Sequence, residues 1–572
     1  MHIVGLSGLL IDGAACVLDP QGRVIAAVEE ERPTRVKHAS MRFSGGLPYK
    51  SLDLCLKMAG IDWKDVGHVG YFFEPWRELR RMCAFRFRKA WWTPAVAAYY
   101  TAYQLDCLRG HLAVPRMLAQ QKGYRAAFSY LSHHLTHAAS AFYVSPYDSA
   151  AILVMDAMSE RESISFFVGE GTRIKLVKRV DFPHSWGFLY SMFTQYLGFK
   201  PNSDEYKVMG LAAYGKPTFL PEILKMIRLQ RTGEPRLDWS YFDAAFRGPT
   251  YFSKKFFRIF GPCRLKDEPV TDRHQNLASS IQMALEISAL SMAEDLHRLT
   301  GINRLCLAGG VGLNCLMNSR LLLESPFQEV FVPPGPHDGG CAMGAALLVA
   351  HQQLGRPRGY VMTTAGLGPE YTDADIRATL ESCKVGYRMS ENIEEDTAEL
   401  LAQGKIVGWF QGRMEWGPRA LGYRSILGDP TRPEMKDRVN AAVKYREDFR
   451  PFAPAVLAES AGDYFLDIKE SPFMLFVARV RPDQASKIPA VLHVDGTARL
   501  QTVDRATHPR FWGLIRAFSE RRGVPMVLNT SFNVQGEPIV SSPRDAIRCF
   551  FSCGLDALAI GNYLVSKQPG GR

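Results

Sequence analysis

His133 and His137 stand four residues apart in a stretch patterned as a helix, so both imidazoles project from one face, as a metal ion requires. Such a pair is often coincidence, so its company decides its weight. Asp156 ends an apolar strand, a costly place for a carboxylate unless it meets a cation or a helix N-terminus. Asp338 lies in a Gly-rich loop that opens a helix, where capping is the plain alternative role. Two histidines and two aspartates form an N/O donor set suited to iron, manganese or zinc, with no thiolate to fix the choice.

A second kind of chemistry is written in glycines and arginines. Gly309, Gly310 and Gly312 follow a strand and lead through Asn314 into a helix, so their N–H groups could cradle a nucleotide phosphate. Further on, Gly412 to Ser425 packs Arg413, Arg419 and Arg424 between glycines, followed by Lys444, Arg446 and Arg450. Guanidinium forks bind phosphate oxygens bidentately, and glycines let backbone approach them. Asn529 and Ser531 end a strand with an amide and a hydroxyl, or form a polar turn. Glu29 to Arg32, with Arg35, Lys37 and His38, could equally be a solvated charged edge.

The elements that must position these groups alternate between strand and helix. A hairpin is predicted over the first thirty residues, a helix over His133 to Tyr143 and a buried strand over Ala150 to Asp156. Residues 75–125 read as helical, rich in Arg, Trp and Tyr, and 230–270 as an insertion with aromatic and basic texture. A long helix follows over Asn276 to Leu299, then two strand–loop–helix passages carry the Gly-rich loop and Asp338. Strands ending in Gly-rich loops before helices argue an α/β class with ligands at strand ends. Glycines and prolines between 355 and 369 mark a boundary, giving domains at 1–358 and 366–572. No internal sequence repeat is evident.

The 572 residues are 47% apolar and 22% charged, which excludes a disordered, collagenous or coiled-coil chain. The net charge of +11 favours anionic ligands, phosphorylated small molecules before nucleic acid, since no RNA-reading motif or basic arm accompanies it. Eleven cysteines without a CxxC pair read as buried thiols of a reducing compartment. With neither a signal peptide nor a long apolar run, a cytoplasmic protein without a membrane partner is expected.

In order along nearly the whole chain, Val28-Glu-Glu-Glu-Arg32, His133-His-Leu-Thr-His137, Tyr206 to Tyr214, Gly309 to Asn314, Gly417 to Gly422, Arg450-Pro-Phe-Ala-Pro454 and Leu528 to Asn533 form a specific set, ending at Gly536 to Val540. The set resembles the O-carbamoyltransferases of nodulation and antibiotic biosynthesis, the NodU/CmcH type. That resemblance implies an N-terminal lobe with the actin-like ATPase fold, in the variant of tRNA threonylcarbamoyl-transfer enzymes. It implies a YrdC-like α/β lobe fused behind it.

By the same resemblance, the second lobe makes carbamoyl-adenylate from carbamoyl phosphate and ATP, with Mg accompanying the ATP. The first lobe passes the carbamoyl group to a small natural-product-like acceptor. His133, His137, Asp156 and Asp338 match the family's ligands to one divalent metal, iron first. Arg419, Lys444, Arg450, Arg499, Asn529 and Ser531 match positions that hold carbamoyl phosphate and nucleotide, Arg419 and Ser531 close to the chemistry. A homo-oligomer is compatible with all of this.

One position departs from the pattern. Where the family carries a histidine base for the acceptor hydroxyl, this chain has Ile11, followed by Asp12. Isoleucine takes no proton, and an unshifted carboxylate is a weak base for an alcohol. His337 is the first candidate to replace it and His134 the second; an acceptor nitrogen would lessen the need. A tRNA-modifying enzyme, a sugar-kinase-like ATPase and a transfer-impaired or binding descendant are the alternatives on a shared fold. The acceptor would be sought at 85–110 and 230–270.

Overall fold

The computed structural model describes the chain apart from residues 10–11, 40–45, 80–93, 244–250, 445–446, 469 and 568–572, with backbone alone at 94–104. Ile11, Arg446 and much of the Arg/Trp/Tyr stretch therefore lie outside the described residues. The chain forms two compact units. The first comprises Met1–Val24, Ser40–Leu47 and Ile61–Val361, and the second Ile25–Ala39, Pro48–Gly60 and Met362–Arg572.

The first unit contains two sheets built to one plan. In one, β1 (His2–Ser7) pairs antiparallel with β2 (Ala14–Leu18) and parallel with β4 (Val66–Tyr71), which pairs parallel with β5 (Ala127–Tyr130); β3 (Val24–Glu29), next in sequence after β2, belongs from Ile25 on to the second unit. In the other, β6 (Ser149–Met155) pairs antiparallel with β7 (Glu162–Glu170) and parallel with β9 (Arg304–Ala308). There β9 pairs parallel with β10 (Glu329–Phe331), and β8 (Arg173–Asp181) flanks β7. The hairpin-then-parallel order is thus repeated in the two sheets.

Helix His133–Phe142 and helix Gly340–Leu347 meet closely beside these sheets. A Cβ at Gly344 would stand 1.8 Å from the Thr136 carbonyl, so this approach requires glycine. The predicted helix from Asn276 extends over Asp272–Thr300, its start fixed by a Thr271–His274 capping box. Strand β5 was not predicted: Ala127–Tyr130 is too short to show its period and only half-buried.

The insertion 230–270 shows where its aromatics are used. Phe252, Phe256 and Phe260 are buried and pack on Phe193 and each other, with Phe252 stacked on Phe256 at 3.7 Å. Those rings form a satellite core, an apolar role that composition could not separate from a ligand pocket.

In the second unit, β12 (Val407–Phe410), β13 (Arg424–Gly428), β18 (Met526–Ser531), β14 (Ala453–Leu457) and β17 (Thr497–Val503) lie side by side in that order in a mixed sheet. Helices Ile393–Ala402 and Pro509–Arg522 cover it, burying Trp409, Phe511, Leu514 and Phe518. Register sets Ser425 opposite Ser531 and Leu427 opposite Asn529, so Asn529 and Ser531, two apart, share a face. Among the described residues, no helix is long and apolar enough to cross a membrane.

Candidate functional site

In the first unit, three elements bring four side chains to one point. His133 and His137 come from the first and second turns of helix His133–Phe142, Asp156 from the end of β6, and Asp338 from the loop before helix Gly340–Leu347. His133 Nε2 lies 3.1 Å from His137 Nε2 and 3.2 Å from Asp156 Oδ2. Asp338 Oδ1 is 3.6 Å from His133 Nε2 and 3.5 Å from His137 Nε2, and Asp156 Oδ2 is 3.8 Å from His137 Nε2. Ligand atoms around a tetrahedral ion with bonds near 2.1 Å stand about 3.4 Å apart. The donor set and its spacing therefore fit one divalent cation.

The supporting contacts explain the convergence. Asp156 Oδ1 accepts the Gly310 N–H at 3.1 Å, leaving Oδ2 for the histidines. That loop needs glycine at 309, where φ is +88° and a Cβ would stand 2.1 Å from the Met155 carbonyl. Buried Glu160 accepts the His133 N–H at 3.1 Å and the Glu74 N–H at 2.8 Å, placing a carboxylate at the start of the histidine helix. Burial raises Glu160 to about 7 against the pull of His133 and these N–H groups.

Electrostatics point the same way. Burial opposes charge on His137, but Cys341 and the Asp338 hydrogen bond raise it to about 10. His133 is likewise lowered by burial and raised further by Cys341, Asp338 and Asp156. Burial would raise Asp156, yet the facing imidazoles bring it below its ordinary range. The acids around the imidazoles thus favour positive charge in a buried place, which a bound cation would supply in place of the imidazole protons. Side-chain exposure falls from 19% at Asp338 to 0% at His137, so the approach is from the Asp338 side. His337, beside it, is half-buried.

Cys341 was missed by the sequence reading. Its Sγ lies 3.9 Å from His133 Nδ1, behind the imidazoles, and with both histidines it forms a second donor group. Burial would raise its thiol, but His137 and His133 lower it. The signal was its place three residues after Asp338, on the first turn of the same helix. Among the other candidates, His134 is buried with Nδ1 on Ser165 Oγ at 2.8 Å, and burial lowers it. Asp12 adopts a left-handed backbone with φ +49°. Asn314 caps helix Cys315–Glu324 through the Met317 N–H and exchanges amide hydrogen bonds with Gln282.

In the second unit, Lys444 is buried and donates to Ser531 Oγ at 3.2 Å, Asn533 Oδ1 at 2.8 Å and the Asn533 carbonyl at 3.0 Å. Ser531 Oγ donates to Asn533 Oδ1 at 2.7 Å. Asn529 donates to the Ala420 carbonyl, next to Arg419, and to Gln501 Oε1 at 2.8 Å. Its own buried Oδ1 has no hydrogen-bond partner among the described residues. Strand and loop thus join Lys444 to Ser531, and Asn529 to the Arg419 loop. Arg450 faces Glu447 at 3.6 Å, and Arg499 sits on β17 opposite Val477. Both are half-buried.

A two-unit α/β protein with a buried His/Asp donor cluster in one unit and a lysine–serine–asparagine cluster in the other matches an enzyme class at both ends. The carbamoyltransferase N-terminus matches residues 2–347 and the carbamoyltransferase C-terminus residues 398–567. The chain belongs to the carbamoyltransferase family. It is 40% identical to nodulation protein NolNO of Sinorhizobium fredii, over 97% of this chain and 79% of that protein. Identity to nodulation protein NolO of Bradyrhizobium diazoefficiens is 42%, covering 77% of this chain and 79% of the relative. An uncharacterised Synechocystis protein is 40% identical over 99% of this chain and 97% of its own length. Among solved structures, HypF of T. kodakarensis is similar over 62% of this chain and 48% of that one, with 12% identity and a TM-score of 0.32.

Proposed function

We propose that the second unit makes carbamoyl-adenylate and the first transfers its carbamoyl group to a hydroxyl, or a nitrogen, of a small-molecule acceptor. Carbamoyl phosphate, ATP and water would give carbamoyl-adenylate, phosphate and pyrophosphate. Two anionic substrates need cationic donors to offset their repulsion, the part for Lys444, Arg419, Arg450 and Arg499. Ser531 Oγ and Asn529 Oδ1 lie on one strand face and would orient the carbamoyl group. Gly309, Gly310 and Gly312 are the remaining candidates for contact with the nucleotide, although the Gly310 N–H already serves Asp156.

His133, His137, Asp156 and Asp338 would hold the divalent cation, iron, manganese or zinc. When bound, it supplies Lewis-acid polarisation or an anchor for the adenylate phosphate. The acceptor oxygen attacks the carbamoyl carbon, its proton passes to a base, and AMP leaves. With Ile11 where the family resemblance places a histidine, His337, next to Asp338 in sequence, is the candidate to take that proton.

The observation that carries this reading is the convergence of four donor atoms in the unit matched by the carbamoyltransferase N-terminus. Pyrophosphate and AMP release by the purified protein, given ATP with and without carbamoyl phosphate, tests it. Pyrophosphate that appears only with carbamoyl phosphate is the expected outcome. Its absence from folded, metal-loaded protein would leave the adenylate step without support.

A further inference from the structure

The Glu-rich segment near the N-terminus has no part in the function above, and its burial is unlike a solvated edge. Glu29, Glu30 and Arg32 are 5%, 3% and 2% exposed. The segment belongs to the second unit, more than three hundred residues before that unit's main body begins.

Its two arginines reach two different loops. Arg32 is held by Glu29 on one side, with Nε 2.9 Å from Glu29 Oε2, and by Glu31 at 3.1 Å. Its Nη2 donates to the Gly417 carbonyl at 2.8 Å, two residues before Arg419. Arg35 adopts a left-handed backbone with φ +61° that ends the short helix Glu31–Thr34. From there its guanidinium donates to the Pro538 carbonyl at 2.7 Å and to the Ile539 carbonyl, with Asp545 at 3.6 Å. Glu30 ties the segment down, accepting the Ser51 N–H and Oγ–H, each at 2.7 Å.

Both loops continue into the candidate site. The Glu537 carbonyl accepts from Asn533 Nδ2 at 2.6 Å, and Asn533 Oδ1 receives Lys444 and Ser531. The Val540 N–H returns to the Phe532 carbonyl at 2.9 Å, closing the loop that Arg35 holds. On the other side, the Ala420 carbonyl after Arg419 accepts from Asn529. A guanidinium with several donors in a fixed fork can fix carbonyls in this way, whereas an ammonium carries one point charge.

We infer that Arg32 and Arg35 are positioning residues of the adenylate-forming site, so that a segment from the first tenth of the sequence completes the site near the end of the chain. Arg35 sets the 533–540 loop that orients Asn533 against Lys444 and Ser531, and Arg32 sets the Gly417 turn that presents Arg419. This inference rests on the function proposed above for that site.

The experiment compares the full-length protein with Arg35→Lys, Arg35→Ala and Arg32→Lys. Carbamoyl-phosphate-dependent pyrophosphate release and amide hydrogen exchange are measured on the same samples. Arg32→Lys endangers folding because it disturbs the buried Glu29 and the half-buried Glu31, so the Arg35 pair carries the test. Arg35→Ala should raise KM for carbamoyl phosphate about threefold, the net worth of the Asn533 hydrogen bond that the freed loop no longer orients, with a smaller fall in kcat. Arg35→Lys should restore less than half of that loss, and exchange should quicken at 532–540 while the β12–β13 amides stay protected. Unchanged KM and unchanged exchange would overturn the inference, as would equal losses in KM and kcat with faster exchange throughout the unit. If the unsubstituted protein releases no pyrophosphate, the functional reading fails, and local exchange in Arg35→Ala shows separately whether the anchoring exists.

Discussion

The two candidate sites differ in how their polar atoms are satisfied. In the first unit, imidazole nitrogens and carboxylate oxygens of four side chains face one another at 3.1 to 3.8 Å. His137 Nδ1 is buried and has no hydrogen-bond partner among the described residues. In the second, Lys444 is surrounded by oxygens of Ser531 and Asn533, within one closed hydrogen-bonded group. A cation can enter the first site by displacing protons alone. An anion at the second must exchange with Asn533 for Lys444, so its binding energy is a difference between two hydrogen-bonded states. On the proposed function, the first site would hold its ligand and the second would trade partners.

The largest effects should come from groups that this exchange cannot replace. Ser531→Ala and Arg419→Ala should each lower carbamoyl-phosphate-dependent pyrophosphate release by about 10²- to 10³-fold, the usual loss for one preorganised donor. A stopped or steady-state pyrophosphate assay reads this, and near-normal rates would mean that the trade occurs elsewhere.

His133→Ala should remove most bound metal and cut transfer far more than pyrophosphate release, measured by metal analysis beside both activities. Equal loss of both activities would erase the contrast between the units. His337→Ala should slow transfer by about 10²-fold or more, within the range of general-base contributions, with pyrophosphate release unchanged. Unaltered transfer would eliminate His337 as the base.

Gly309→Ala should act on the first site through the backbone alone, because its Cβ has no room beside Met155. Loss of about 1–3 kcal/mol of stability and weaker metal binding are expected, read by thermal unfolding and metal titration. The smallest effect belongs to Asn533→Ala. Releasing Lys444 from Asn533 should change KM for carbamoyl phosphate by about threefold in either direction, since a neutral hydrogen bond nets only about 1 kcal/mol. A hundredfold loss would instead make Asn533 a direct substrate contact.

The four donor residues were legible because each carries a local anomaly: an i,i+4 histidine pair, an acid ending an apolar strand and an acid in a Gly loop. Cys341 was not, since a cysteine in an apolar helix looks the same whether it faces core or imidazole. The sheets of the first unit repeat a strand order that leaves no sequence repeat, because backbone pairing constrains period and burial rather than residue identity. The start of the long helix was read four residues late, its capping box being Thr271–His274 rather than a Glu or Gln pair. Most hidden was the place of Val28–Arg32: alternating charge is the same on paper for a solvated edge and for buried pairs. Only long-range contacts such as Arg32 to Gly417 decide between them.

The assignment of Ile25–Ala39 and Pro48–Gly60 to the second unit has a consequence for synthesis. Those residues leave the ribosome well before Met362, and at ~5–20 residues per second the interval is about 15–60 s. Throughout that interval Arg32 and Arg35 have no carbonyls to hold, and Glu29 and Glu30 remain wet. The early segment must wait for the body it belongs to, and the second unit is completed only when residues made last meet residues made first.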